Sequence, residues 1–395
     1  MLTSLALIFL MGLLFGVIFE CLKLPPLLGM IVTGILLGPH ALNLLDQSIL
    51  NISSELRQLA LVIILTRAGL SLDIADLKKV GRPAVLMCFL PSCLEIIGVL
   101  LLAPRLWGFT LLQAAVMGSV LAAVSLAVVV PLMITIMAQG YGKKRGIPQL
   151  ILASSSVDNV FVLVLFTALV SLAAGGEVSA ARLVDVPIAI LVGVLAGVLS
   201  GMALMALFKH FSMRNSIKII ILLSVSFLLL ECQKQLEGIV PMSGLLAIMS
   251  LAIVIYQSRP ELAGRLSEKY NKLWLAAQIL LFVLVGAIVD LKYVRAQGVV
   301  AAVIVVGALL FRMLGVWVCF IKTQIPSREK YFCLLAYTPK ATMQAAIGAI
   351  PLSMGLAGGQ QVLTVAVLSI LITAPLGAMA IDRLYKKLLE QDGDS

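Results

Sequence analysis

The residues able to do chemistry in this chain are few and lie deep inside apolar runs. Ser154, Ser155, Ser156, Asp158 and Asn159 follow one another about two turns into the hydrophobic stretch that opens near Ile147-Pro148. An ionised aspartate at that depth costs roughly 2.5–3.5 kcal/mol or more in hydrocarbon, so it faces water or protein rather than lipid. Helical spacing stacks Ser154 under Asp158 and Ser155 under Asn159 (i, i+4), gathering oxygen ligands on one side. Protons and hard monovalent cations seek such a set. Three basic residues also stay inside apolar spans, Arg67, Arg312 and Lys340, and Glu95 is the other acid at comparable depth. Buried charges of one sign need partners of the other. The expected pairs are Glu95 with Arg312 and Asp158 with Lys340, while Arg67, near an interface, is expected to snorkel.

The elements that position these groups are membrane-spanning. Of 395 residues, 61% are hydrophobic and only 12% charged, with a mean hydropathy of +1.12. That defines a polytopic all-α membrane protein. Two histidines and six cysteines without a CxxC pair exclude the usual metal spacings. No nucleophile, base and orienter set points to an enzyme, and no cofactor is implied beyond transported ions.

At roughly 20 residues per crossing the chain divides into about thirteen spans. The first, Met1 to Phe19, reads as a retained helix and not a signal peptide. The fourth covers Pro83 to Ala103 and holds Glu95. The fifth, Thr110 to Ala138, is too long for one plain span and is expected to break around Ser125 to Pro131. The sixth covers Ile147 to Ala173. The twelfth, Tyr331 to Met354, is expected to break at Pro339, whose ring and missing donor free carbonyls for Lys340 or a cation.

The net charge of +10 is explained by topology, not by nucleic acid. Loops on one side hold Lys23, Lys78–Arg82, Lys143–Arg145, Lys209–Lys218, Arg259–Lys272, Lys322–Lys330 and Arg383–Lys387, and the other side far fewer. The positive-inside rule then puts the N-terminus outside and the C-terminus in the cytoplasm. Glu95 and Arg312 stand at the same sequence offset as the two broken segments at Ser125 and Thr342. With an odd number of spans between them, the two units run in opposite directions, as in the inverted repeats of secondary transporters with paired discontinuous helices.

Beyond these patterns, the strings LPPLLGMIVTGILLG (24–38), LALVIILTRAGLSLD (59–73), PSCLE (91–95), AVVVPLM (127–133), QGYGKKRGIP (139–148), the SSSVDN box, PKATMQAAIGA (339–349) and VLTVAVLSILITAPLG (362–377) resemble NHA-type sodium/proton antiporters of the monovalent cation:proton antiporter superfamily. The resemblance runs over nearly the whole chain. It implies a homodimer in the bilayer, each protomer with a scaffold and dimerisation part (about 1–80 and 216–290) and a moving core (about 83–173 and 297–389). It further implies exchange of Na⁺ or Li⁺ for H⁺ by an elevator-like motion. The family's acidic box falls on Asp158 and Asn159, its buried acid on Glu95, its core arginine on Arg312 and its crossover lysine on Lys340, with Pro131, Pro339 and Thr342 at the crossover. Where the family usually has Asp-Asp, this chain has Asp158-Asn159, and where it has a crossover Ser-Pro, this chain has Ser125-Leu126.

These readings lead to one expectation. Asp158 binds H⁺ and Na⁺ or Li⁺ in turn, helped by the neutral oxygens of Asn159, Ser125, Ser154 and Ser155, with Lys340 released on ion binding. A single carboxylate in the box implies one cation per proton and no net charge moved. A prokaryotic plasma membrane is the expected location. The alternatives are a transport-impaired relative serving as sensor or scaffold, which Asn159 would favour, and a Na⁺-coupled symporter of an organic solute. The latter would need more polar side chains inside the membrane.

Overall fold

The computed structural model describes residues 1–71, 81–142, 144–175, 180–211, 213–236 and 240–391. Lys78, Lys79 and Lys143, counted above among the basic loop residues, lie outside the described residues. The helices in chain order are α1 Leu2–Cys21, α2 Pro26–Leu37, α3 Gln47–Asn51, α4 Ser53–Gly69, α5 Arg82–Met87, α6 Leu90–Trp107, α7 Leu111–Leu121, α8 Leu126–Ala138 and α9 Ile147–Ala174. They continue with α10 Ala180–His210, α11 Asn215–Gln235, α12 Gly244–Ser258, α13 Pro260–Ala287, α14 Leu291–Cys319, α15 Ser327–Ala336, α16 Thr342–Ile347, α17 Ile350–Ser353 and α18 Gly359–Leu388.

Among the described residues, nine helical stretches are long and apolar enough to cross a bilayer. The shorter apolar helices α2 and α12, helix α4 and the broken run from α15 to α17 bring the crossings to thirteen, in line with the hydropathy. Among the described residues, two crossings are interrupted for four residues or more. The fifth stops at Leu121 and resumes at Leu126, and the twelfth stops at Ala336 and resumes at Thr342.

The place of the first break differs from expectation. Pro131 lies inside α8 and does not interrupt it, whereas the chain leaves the helix at Ala122 to Ser125. Proline is tolerated within membrane helices where neighbouring groups satisfy the freed backbone. No glycine or proline marks the true break, and alanine is the best helix former of all. The interruption comes from tertiary partners that compete for the carbonyls, described below.

One compact unit gathers Met1–Ser53, Ile74–Val162 and Leu281–Ser395, and a second gathers Ser54–Asp73 and Leu163–Leu280. In the second, α10 and α12 pack closely. A Cβ on Gly193 would meet the Ser243 carbonyl oxygen at 2.5 Å. In the first, α6 and α14 run against each other along their lengths. Gly315 of α14 makes this possible, since a Cβ there would lie 2.6 Å from the Cα of Pro91. That close approach puts Glu95 and Arg312 face to face. Gly377 does the same for α18, where an added Cβ would sit 2.6 Å from Pro339 and 2.7 Å from the Thr338 hydroxyl.

Candidate functional site

The site is assembled at the two breaks, all of it within the first unit. At the end of α7 the carbonyls of residues 120–123 lose their helical donors, as the last turn of any helix does. Side chains from other elements replace them. The amide nitrogen of Gln344, on α16, donates to the carbonyls of Val120 (3.2 Å), Leu121 (3.1 Å) and Ala123 (2.8 Å). Arg312 donates to the Ala122 carbonyl, and the Ser92 hydroxyl lies 3.0 Å from the same oxygen. The two breaks are joined directly, because the Ser125 amide donates to the Pro339 carbonyl at 2.8 Å. On the other side the Lys340 amide donates to the Thr373 hydroxyl of α18 at 2.9 Å. Thr342 is buried and opens α16.

The buried charges form one network around Arg312. Its Nη1 donates to Glu95 Oε2 at 2.8 Å and to the Ser92 hydroxyl at 3.2 Å. Nη2 donates to Asp158 Oδ2 at 2.9 Å and Nε to the Tyr337 carbonyl at 2.9 Å. The Tyr337 ring lies against the guanidinium, 5.2 Å from Cζ to centroid. Ser92 donates to the other oxygen of Asp158. Lys340 Nζ donates to Glu95 Oε2 at 2.6 Å. All four charged residues are buried to within 1%, and two acids against two cations leave the cluster formally neutral.

This corrects one expected pair. Glu95 does meet Arg312, but Asp158 is held by Arg312 and not by Lys340, which turns to Glu95 instead. The reason is geometric. A planar guanidinium offers five donors in a fixed fork and can serve two carboxylates at once, whereas an ammonium acts as a point charge.

The neutral oxygens divide in two. Ser154 donates to the Leu150 carbonyl at 2.6 Å and accepts from the Tyr337 hydroxyl at 2.5 Å. Ser155 turns back to the Leu152 carbonyl at 3.2 Å. Both therefore serve α9 itself, as serines inside helices commonly do. Asn159 donates to the Ser155 carbonyl at 3.1 Å, which leaves its Oδ1 buried without a partner, and Ser125 Oγ is likewise unpartnered. Three groups of the site were missed in the sequence. Ser92 precedes Glu95 by three residues on one helix face, a spacing that could have revealed it. Gln344 and Tyr337 both stand within or beside the PKATMQAAIGA string, with nothing in their local spacing to mark them.

Residues 5–387 match the family model described as "Sodium/hydrogen exchanger, transmembrane". The chain belongs to the sodium/hydrogen exchanger family. Human sodium/hydrogen exchanger 9B2 is 33% identical to it over 383 residues, covering 93% of this chain and 70% of the relative. Human sodium/hydrogen exchanger 9B1 is 30% identical over 387 residues, covering 94% and 74%. The sodium proton antiporter MjNhaP1 of Methanocaldococcus jannaschii superposes with a TM-score of 0.83 at 18% identity, covering 100% of this chain and 99% of that one, which speaks to the fold. This exchanger is an integral membrane protein and a secondary antiporter of cations and protons, not an enzyme, and transport of this kind calls for no cofactor beyond its ions. The curated relatives are animal proteins, so the expected prokaryotic plasma membrane is not borne out by them.

Proposed function

We propose that this exchanger trades one Na⁺ or Li⁺ for one H⁺ without moving net charge, and that Asp158 is the group the two ions share. The observation that carries this reading is the neutrality of the buried cluster. With Asp158 ionised and held by Arg312, the two acids and two cations cancel. A proton on Asp158, or a monovalent cation beside it, adds one positive charge in either case. Both loaded states thus carry equal charge, and the unloaded state is closed by its own ion pairs. Competition for one carboxylate then gives one-for-one exchange.

The pairing also changes who must yield. Arg312 Nη2 occupies the Asp158 oxygen that a cation would need, so Arg312 is the partner displaced on loading, while Lys340 keeps Glu95 compensated. Asn159 Oδ1 and Ser125 Oγ, buried without donors, supply neutral oxygens of the kind hard cations take. The hydrogen bond from Ser125 to Pro339 supports the two crossings moving as one rigid piece, in an elevator-type motion of the core (about 83–173 and 297–389). The scaffold (about 1–80 and 216–290) would form the homodimer, with the N-terminus outside and the C-terminus cytoplasmic.

Proteoliposome flux tests the reading. Asp158→Asn protein is expected to lose pH-driven Na⁺ and Li⁺ exchange, and undiminished exchange would remove Asp158 from the mechanism. Clamping the membrane potential at zero is expected to leave the wild-type rate unchanged. A transport-impaired scaffold is the second reading, favoured by the amide of Asn159, which leaves Asp158 as the one carboxylate of the pair. Wild-type protein without exchange for any monovalent cation would support it.

A further inference from the structure

Gln344 is the fully buried side chain on which the first break depends, and half of it is unused. Carbonyls accept and never donate, so an amide facing three of them must present its nitrogen. The orientation of Gln344 is thereby fixed by chemistry, with Nε2 toward Val120, Leu121 and Ala123. Its Oε1 must then face the other way, and there it is buried with no donor. Such acceptors are rare in folded proteins and call for an explanation.

Two more buried oxygens lack donors on elements tied to the same break, Ser125 Oγ at its end and Asn159 Oδ1 on α9. Ser125 is two residues beyond Ala123, which Gln344 holds. Asn159 follows Asp158, which reaches the break through Ser92 and Ala122. Three buried oxygens without donors, on elements bonded to one four-residue interruption and to two carboxylates already engaged by cations, are groups of the kind that take a positive ion. Hard cations are held by oxygen sets that include neutral backbone and Asn/Gln carbonyl oxygens as well as carboxylates.

We propose that Gln344 is a ligand of the transported cation through Oε1 while its nitrogen holds the freed carbonyls of α7. One side chain thus ties the shape of the break to cation choice. The inference rests on the exchange reading above and adds a ligand to it. The number and reach of neutral oxygens separate cations of different size, so losing this one acts on affinity and on the balance between Na⁺ and Li⁺.

The test is KM for Na⁺ and for Li⁺ in proteoliposomes. Gln344→Met, similar in shape but without either polar atom, is expected to raise the Na⁺ KM about tenfold, the size of one lost polar contact to a charged group. It should also alter the ratio of the two KM values, with turnover changed less than KM. Gln344→Glu keeps an oxygen of the same reach but gives up the nitrogen that holds the carbonyls, so its Na⁺ KM is expected to lie below that of Gln344→Met while its thermal stability falls at least as far. A structural cap alone would lower thermal stability in both variants and leave both KM values and their ratio unchanged, and that result overturns the proposal. Should Gln344→Met not fold, Gln344→Glu together with Gln344→Asn decides the matter, since an unaltered Na⁺ KM in both also overturns it. Loss of exchange in Asp158→Asn with unaltered KM in the Gln344 variants removes this ligand and leaves the exchange reading in place. Retained exchange in Asp158→Asn removes that reading instead, while a KM shift in the Gln344 variants stays measurable.

Discussion

The two broken crossings occupy matching places in the inverted arrangement, yet they are chemically opposite. The first break, at Ala122 to Ser125, contributes backbone carbonyls and receives side chains. Arg312, Gln344 and Ser92 all converge on it from elsewhere. The second, at Tyr337 to Ala341, contributes side chains, with Lys340 reaching Glu95 and Gln344, on α16 just beyond it, reaching across to α7. It is locally encoded, for Pro339 cannot continue a helix cleanly. The comparison teaches that a pseudo-symmetric backbone can carry an asymmetric site. The second break is opened by its own sequence, and the first is opened by the donors that α6, α14 and α16 bring to it.

The sharpest way to break this comparison is to remove the charged donor serving the first break. Arg312→Met leaves Asp158 without its cation and Glu95 with Lys340 alone, and should cost about 3–5 kcal/mol, read as a large fall in the thermal unfolding midpoint in detergent. Lys340→Met leaves Glu95 still bonded to Arg312 and should cost less, about 1–3 kcal/mol. Equal losses in the two variants would mean that the asymmetry between the breaks is only geometric. A second change sharpens the charge argument. Asn159→Asp adds a negative charge beside a neutral cluster, so transport is expected to become electrogenic, seen as transient currents on a solid-supported membrane that the wild type lacks. Smaller is Ser92→Ala. It removes a donor to Asp158 and is expected to cost about 1–2 kcal/mol and to weaken exchange without abolishing it.

The smallest effect lies far from both breaks and serves as a control. Asp46 caps α3, accepting from the Ser48 amide at 2.8 Å. Hydrogen bonds from Ser48 hold its carboxyl down from 3.8 to about 2. A depressed carboxyl stabilises the fold above its unfolded value and loses that contribution as pH falls through the folded one. The stability difference between wild type and Asp46→Asn should therefore be present at pH 5 and vanish toward pH 2, with exchange kinetics unchanged.

Much of the fold was legible because burial in lipid leaves few choices. Apolar runs of sufficient length must become helices, and the crossings follow from them. Asp158, Glu95, Arg312 and Lys340 stood out because charge at that depth is costly, and Pro339 marked its own break. Pro131 misled because proline disfavours a helix without forbidding one in this setting. Ala122 to Ser125 gave no signal, since nothing in Ala-Ala-Val-Ser opposes a helix. Ser154 and Ser155 shared a face with Asp158 and Asn159, but serine hydroxyls bond their own preceding turn when no stronger donor or acceptor is presented to them.

The sequence by itself determined the class of protein, the number of crossings and the roster of buried charges, because each is a matter of transfer free energy between water and lipid, additive along the chain. Tertiary structure alone decided that Arg312 would hold both acids, that Lys340 would turn to Glu95, and that α7 would stop at Leu121. Those outcomes depend on which donors the crossing of α6, α14 and α16 brings within 3 Å of which oxygens, and hydrogen bonds at that range answer to geometry that no linear pattern carries.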